Sequence, residues 1–126
     1  ETRGSLICDR FYTRLTSRQV ADLCRSHDIF VYTSYSDGFQ SPPLEAMACG
    51  CAVVATKVGA VSDYAVHEKN ALLCEPMDFE GIFKQVERLI LDVDLRRTLG
   101  AQAAQDAKRW TWEDCAAQFD DLFRKM

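Results

Sequence analysis

The sequence predicts an α/β fold built on a mainly parallel sheet, and three observations carry that reading. Two apolar, β-branched runs, 28–33 and 51–56, contain few charges, as strands covered on both faces do. Between them lies a segment with helix-start and helix-stop chemistry, which gives the unit strand, helix, strand. From residue 79 onward the periodicity is helical. The expectation is about four strands, helices on both faces and a helical C-terminus.

The elements follow in order. Residues 6–12 read as a strand, although Cys8-Asp9-Arg10 interrupts the apolar pattern. Thr16-Ser17-Arg18-Gln19 is a capping box, and Val20, Leu23 and Cys24 then recur at helical spacing, so a helix is expected over 17–26. The run 28–33 is the second strand. It delivers the chain into Ser36-Asp37-Gly38-Phe39-Gln40-Ser41-Pro42-Pro43-Leu44-Glu45. Here Gly38 permits torsions closed to other residues, Ser41 suits an N-cap and Pro42 a first helical position, so a helix should begin at Ser41 or Pro42. Gly50 suits the left-handed position after its end, and 51–56 is the next strand. Then come a loop at 57–61, a short helix capped by Ser62 and a last strand at 70–74. Three helices are expected after that: 79–91 behind an Asp78 cap, 94 to about 109, and 111–124. Two stripes, Phe83, Val86, Leu89 and Ile90, then Trp112, Cys115, Ala116, Phe119, Leu122 and Phe123, read as core faces.

Composition bounds the function. The 126 residues suit one domain, and 48% hydrophobic with 27% charged residues is globular. A net charge of −4 with scattered basic residues gives no footprint for nucleic acid. No apolar run reaches the ~18 residues of a membrane span, and the first five residues are no secretory signal. A soluble protein is expected. The six cysteines lack zinc-site spacing and read as reduced, mostly buried thiols of a cytoplasmic protein.

The chemistry concentrates between Asp37 and Glu45. The first amides of a helix have no partner within it and its dipole makes that end positive, so the loop over 38–41 could receive a phosphate, with the two carboxylates beside it. Parallel pairing would place this loop and the loop at 57–61 on one carboxyl edge, where open α/β sheets bind ligands. The plainer readings are an Asp-Gly turn for Asp37 and a helix-dipole carboxylate for Glu45. His67 reads as a solvated loop histidine and His27 as a helix-end residue. Trp110 and Trp112 are expected to pack between helices rather than to stack a sugar.

Asp37-Gly38-Phe39, then Pro43-Leu44-Glu45-Ala46-Met47-Ala48-Cys49-Gly50 and Ala52-Val53-Val54-Ala55-Thr56, resemble the C-terminal, donor-binding half of the family 4 (group 1) retaining glycosyltransferases of GT-B fold. Asn70-Ala71-Leu72-Leu73, Leu95 to Gly100 and Trp110-Thr111-Trp112-Glu113 extend the resemblance from about residue 5 to 124. It implies a Rossmann-like single domain over 1–126, part of a larger two-domain enzyme, that binds a nucleoside diphosphate sugar for retaining transfer to a saccharide or lipid-linked acceptor. Glu45 would bond the ribose hydroxyls and Asp37 the transferred sugar, as the site residue nearest the reaction. Backbone amides around Gly38, Phe39, Gln40 and Ser41 would hold the diphosphate, and 57–61 would lie near the nucleotide.

The resemblance implies neither a bound metal nor another cofactor, and it leaves peripheral membrane association of the parent enzyme open. Two departures stand out. Asp37 replaces the family glutamate, one methylene longer, and Gln40 replaces a turn glycine, which would put a side chain where the donor sugar approaches. The acceptor domain and a phosphate-binding Arg and Lys pair belong to a stretch before residue 1, so the segment alone is expected to bind weakly and to transfer nothing. A non-catalytic interaction module on the same scaffold is the alternative. A dinucleotide oxidoreductase is disfavoured, since no Gly-x-Gly-x-x-Gly follows a strand.

Overall fold

The structure, a computed structural model, describes residues 8–126. Helix α1 (Ser17–Arg25) starts in the expected capping box: Thr16 Oγ1 accepts the Gln19 N–H, and Gln19 Oε1 accepts the Thr16 N–H at 2.9 Å. The chain continues through β1 (Ile29–Tyr32), α2 (Ser41–Ala48), β2 (Ala52–Thr56), the single turn α3 (Val61–Tyr64) and β3 (Leu72–Cys74). Helices α4 (Phe79–Leu91), α5 (Val93–Ala107) and α6 (Trp112–Arg124) complete it. Asp78, Asp92 and Thr111 cap these three helices, each accepting a backbone N–H of the first turn.

The sheet has the order β1-β2-β3 with every pair parallel; Phe30 lies opposite Val53 and Ala55 opposite Leu73. Among the described residues three strands stand where about four were expected. Residues 8–12 of the expected first strand are exposed and not extended into the sheet, while Leu6 and Ile7 lie outside the described residues. The charged Asp9-Arg10 pair breaks the alternation a strand needs, and among the described residues β1 is an edge.

Strand β2 is buried throughout, and its alternating side chains serve two cores. Val53 and Ala55 face Met47 of α2, Tyr64 and Ala103 of α5, with α1 contributing Cys24. Ala52 and Val54 face Leu72, Leu89 of α4 and Leu99 of α5. Helices therefore cover both faces, as the apolar strands demanded.

Helix α2 ends in a Schellman motif: Gly50, at φ 86°, donates to Met47 O at 2.9 Å and Cys51 to Ala46 O at 3.1 Å. Helix α5 lies directly on that turn, since a Cβ on Gly100 would come 2.4 Å from Gly50 O.

Of the two expected helical stripes, only Val86 and Leu89 of α4 join the core. On α4 the inward line is Ile82, Val86 and Leu89, at i, i+4 and i+7, whereas Phe83 and Ile90 face outward, mostly exposed. Helix α6 buries none of its residues, and Trp112 is 86% exposed. The stripe is there, but no described element covers it.

The cysteines also divide. All six are free thiols; Cys24, Cys51 and Cys74 are buried, Cys49 is half-buried, and Cys8 and Cys115 are exposed. Cys51 Sγ donates to Cys24 O at 3.2 Å, and burial pushes its thiol up to about 11.

Candidate functional site

The segment 37–41 lies at the carboxyl edge of the sheet, after β1, and is held there from three sides. Gly38 O accepts the Ala60 N–H at 2.9 Å. Gln40 Nε2 donates to Val58 O at 2.7 Å. Tyr64 donates its hydroxyl to Gln40 O. The loop at 57–61 thus lies directly against the turn. Gly59 makes that approach feasible: its φ is 55°, and a Cβ there would sit 2.0 Å from Gly38 O and 2.6 Å from Asp37 O.

The glycine that needs its freedom is therefore Gly59 and not Gly38, which stays out of the left-handed region and has open space around it. The helix start also shifts by one residue. Gln40 occupies the cap position without a capping hydrogen bond, Ser41 is already helical, and Pro42 and Pro43 follow. Likewise Ala60, not Ser62, caps α3.

This changes which donors are free. Prolines at 42 and 43 carry no N–H, and the Ser41 N–H is bonded to Phe39 O at 3.0 Å. The N–H groups of Phe39 and Gln40 have no hydrogen-bond partner among the described residues. The donors for an anion therefore come from the turn that precedes the helix rather than from its first coil.

Gln40 itself departs furthest from expectation. Its side chain is fully buried beneath the turn, so it does not stand in the path of a donor sugar. Its Oε1 is buried and has no hydrogen-bond partner among the described residues. The residue ties the turn to the loop at 57–61.

Asp37 is half-buried, and both its oxygens are engaged: Oδ2 accepts the Tyr32 hydroxyl at 2.8 Å and Oδ1 the Gly38 N–H at 2.8 Å. Those bonds fix the carboxylate at the end of β1, and its hydrogen bond raises the Tyr32 phenol above its ordinary value. Each oxygen keeps acceptor capacity for a further hydroxyl. Glu45 is exposed, without a hydrogen-bond partner among the described residues, and it lies beyond the first turn of α2. The helix-dipole explanation loses force there, because that interaction fades after the first turn. Lys57, at the start of the neighbouring loop, pairs with Glu75 at 3.1 Å.

Sequence reasoning missed Tyr32, Gly59 and Tyr64. Tyr64 is 4% exposed, and burial pushes its phenol well above the usual range. Behind it, Asn70 donates to Tyr64 O at 3.1 Å and to Asp106 Oδ2 at 2.8 Å, joining α3 to α5. The only sequence signal was a tyrosine in a turn otherwise free of large side chains.

The two histidines have structural uses. His67 Nδ1 accepts the Leu73 N–H at 2.9 Å, so this residue is bonded rather than merely solvated. His27 Nδ1 lies 2.8 Å from Leu23 O at the end of α1, as a helix-end residue should. Trp110 packs on Phe39 and Tyr64, while Trp112 does not pack. Among the described residues no cluster of three or more His, Cys, Asp or Glu is placed to hold a metal ion, and no helix is long and apolar enough to cross a membrane.

Comparison with known proteins matches this geometry to one family. The model for glycosyl transferases group 1 matches residues 10–106. D-inositol 3-phosphate glycosyltransferase of Corynebacterium jeikeium is 30% identical over the whole chain, which covers 30% of that protein. Sucrose-phosphate synthase of Thermosynechococcus elongatus is similar in structure with a TM-score of 0.85 and 28% identity, over 92% of this chain and 29% of that one. Anabaena HepE, solved in complex with UDP-glucose, shares the fold with a TM-score of 0.79 at 24% identity, over 86% of this chain and 30% of its own. The chain spans about a third or less of the curated relatives it matches, between 25% and 31% for the first five. With a parallel sheet flanked by helices, as in GT-B glycosyltransferases, this chain belongs to glycosyl transferases group 1.

Proposed function

We propose that the chain is the donor-binding part of a retaining glycosyltransferase that moves a sugar from a nucleoside diphosphate sugar to a saccharide or lipid-linked acceptor. The observation that carries this reading is the braced turn at the sheet's carboxyl edge, with the Phe39 and Gln40 N–H groups left without partners among the described residues. Fixed amide dipoles of this kind suit a diphosphate in the ground state. They suit it better as the bond from the sugar's anomeric carbon to the phosphate oxygen breaks and charge gathers on that oxygen.

The remaining roles follow from position. Glu45, exposed and unpaired among the described residues, would accept from the ribose hydroxyls. Asp37, fixed by Tyr32 and Gly38, would accept from a hydroxyl of the transferred sugar. Ser41 has its N–H engaged, so its hydroxyl is the donor it still has to offer. The complex of HepE with UDP-glucose supports a nucleotide-sugar donor for a protein of this fold. Burial of Gln40 removes one of the two departures, Asp37 and Gln40, on which the non-catalytic alternative rested.

Calorimetric titration of the protein with UDP, GDP and ADP tests the proposal. At least one should bind, and Glu45→Ala should weaken that binding by about ten-fold or more without altering the fold, as loss of a charged hydrogen-bond acceptor does. Folded protein that takes up none of the three overturns the donor reading. Binding untouched by Glu45→Ala removes Glu45 from it.

A further inference from the structure

Trp110 lies beyond the residues matched by the family model, and the resemblance gives it no role. Its ring nevertheless meets the donor turn. The Phe39 and Trp110 ring centroids are 6.2 Å apart, Trp110 stands edge-on to Tyr64 at 6.0 Å, and Phe39 and Tyr64 are 5.8 Å apart, so the three aromatics form a closed trio. Spacings in this range are those of attractive aromatic pairs.

Two members of the trio are anchored independently of the turn. Tyr64 is buried and its backbone carbonyl is held by Asn70. Trp110 donates its backbone N–H to Ala107 O at 3.0 Å, at the end of α5, next to the Asp106 that Asn70 also binds. Phe39 is the third member, half exposed, and its N–H is one of the two donors unpartnered among the described residues. The turn bends at Gly38, which has open space around it. Hydrogen bonds from Ala60 and Tyr64 hold the carbonyls on either side of Phe39, and the Ser41 N–H bonds the Phe39 carbonyl at 3.0 Å, while the ring is held by packing on Tyr64 and Trp110.

From this geometry we infer that Trp110 is a positioning residue of the donor site. Pressing Phe39 against Tyr64, it aims the Phe39 and Gln40 N–H groups at the diphosphate and couples the corner between α5 and α6 to the turn. The inference rests on the donor reading above and goes further by giving a role to a residue far from the donor turn in sequence.

The experiment compares the wild type with Trp110→Ala and Trp110→Phe, by calorimetric titration with whichever of UDP, GDP or ADP the wild type binds and by hydrogen exchange across 37–41. Trp110→Ala should bind about two- to ten-fold more weakly, the size of one or two aromatic contacts. Trp110→Phe should recover most of that loss. Exchange across 37–41 should quicken in Trp110→Ala while β2 stays protected, a pattern that general destabilisation would not give. Should Trp110→Ala fail to fold, Phe39→Leu breaks the same ring contact and is read in the same way. A wild type that binds and a Trp110→Ala that binds equally well overturn the inference alone. A wild type that binds none of the nucleotides overturns the donor reading and this role with it.

Discussion

Strand β2 and helix α6 are both written in apolar residues, yet one has no exposed residue and the other has no buried one. The difference lies in what surrounds them. Ala52 to Thr56 pair with a strand on each side and have helices over both faces, so each methyl group leaves water. Trp112, Phe119, Leu122 and Phe123 share a helix face that no described element meets. An apolar stripe specifies that a surface needs covering. It does not specify the cover.

Four changes probe that contrast, from the largest expected effect to the smallest. Leu72→Ala, beside β2, should cost about 2 to 5 kcal/mol in denaturant unfolding, because Leu72 is fully buried and the surrounding core cannot collapse onto the gap. Less than about 1 kcal/mol would mean that the two-faced core is looser than its burial shows. Gly59→Ala should cost roughly 1 to 3 kcal/mol and also weaken nucleotide binding, since the left-handed torsion is strained for alanine and the new methyl group would strike the Gly38 carbonyl. A variant equally stable and equally able to bind would separate the loop at 57–61 from the site.

A third change concerns pH. Hydrogen bonds from Asn70 and then Gln102 hold the Asp106 carboxyl below its usual value of 3.8. A carboxyl lower in the folded than in the unfolded chain adds stability that is complete above the unfolded value and is lost as pH falls through the folded one. Asp106→Asn keeps an acceptor for Asn70 but no longer titrates. Its melting temperature should therefore fall less than that of the wild type between about pH 5 and pH 2. Parallel slopes would detach Asp106 from acid stability.

Last, Phe119→Ser on α6 should change stability by no more than about 0.5 kcal/mol, as an exposed substitution does. A loss above about 1 kcal/mol would show that the face is covered in solution and would break the contrast with β2.

Much of the fold was legible because local chemistry and tertiary use agreed. The Thr16 to Gln19 box, the Asp78 cap, Gly50 and the two β-branched runs each ask for one conformation, and each obtained it. Residues 8–12 misled because a short apolar run becomes a strand only where a neighbouring strand pairs with it. The stripe of α4 was right at Val86 and Leu89 and wrong at its margins: Phe83 and Ile90 are as hydrophobic as Ile82, and only the angle of packing decides which of them turns inward.

At the candidate site, the motif marked the turn but not what holds it. Gly59 and Tyr64 act across about twenty residues of sequence, through a backbone clash and a backbone carbonyl, and neither leaves a local pattern. Gln40 shows the same limit, since whether a side chain projects into a site or beneath it is settled by the partner it finds, here Val58 O.

Pro42 and Pro43 have a consequence that reaches back to the unfolded chain. Each ring fixes its own φ near the helical value even there, so the first turn of α2 has fewer alternatives than the rest of the chain. The entry to the ligand edge is in this sense rigid in advance. A nucleotide arriving there would order little backbone on the helix side, and the motion left to be quenched lies in the largely exposed loop from Ser34 to Gly38.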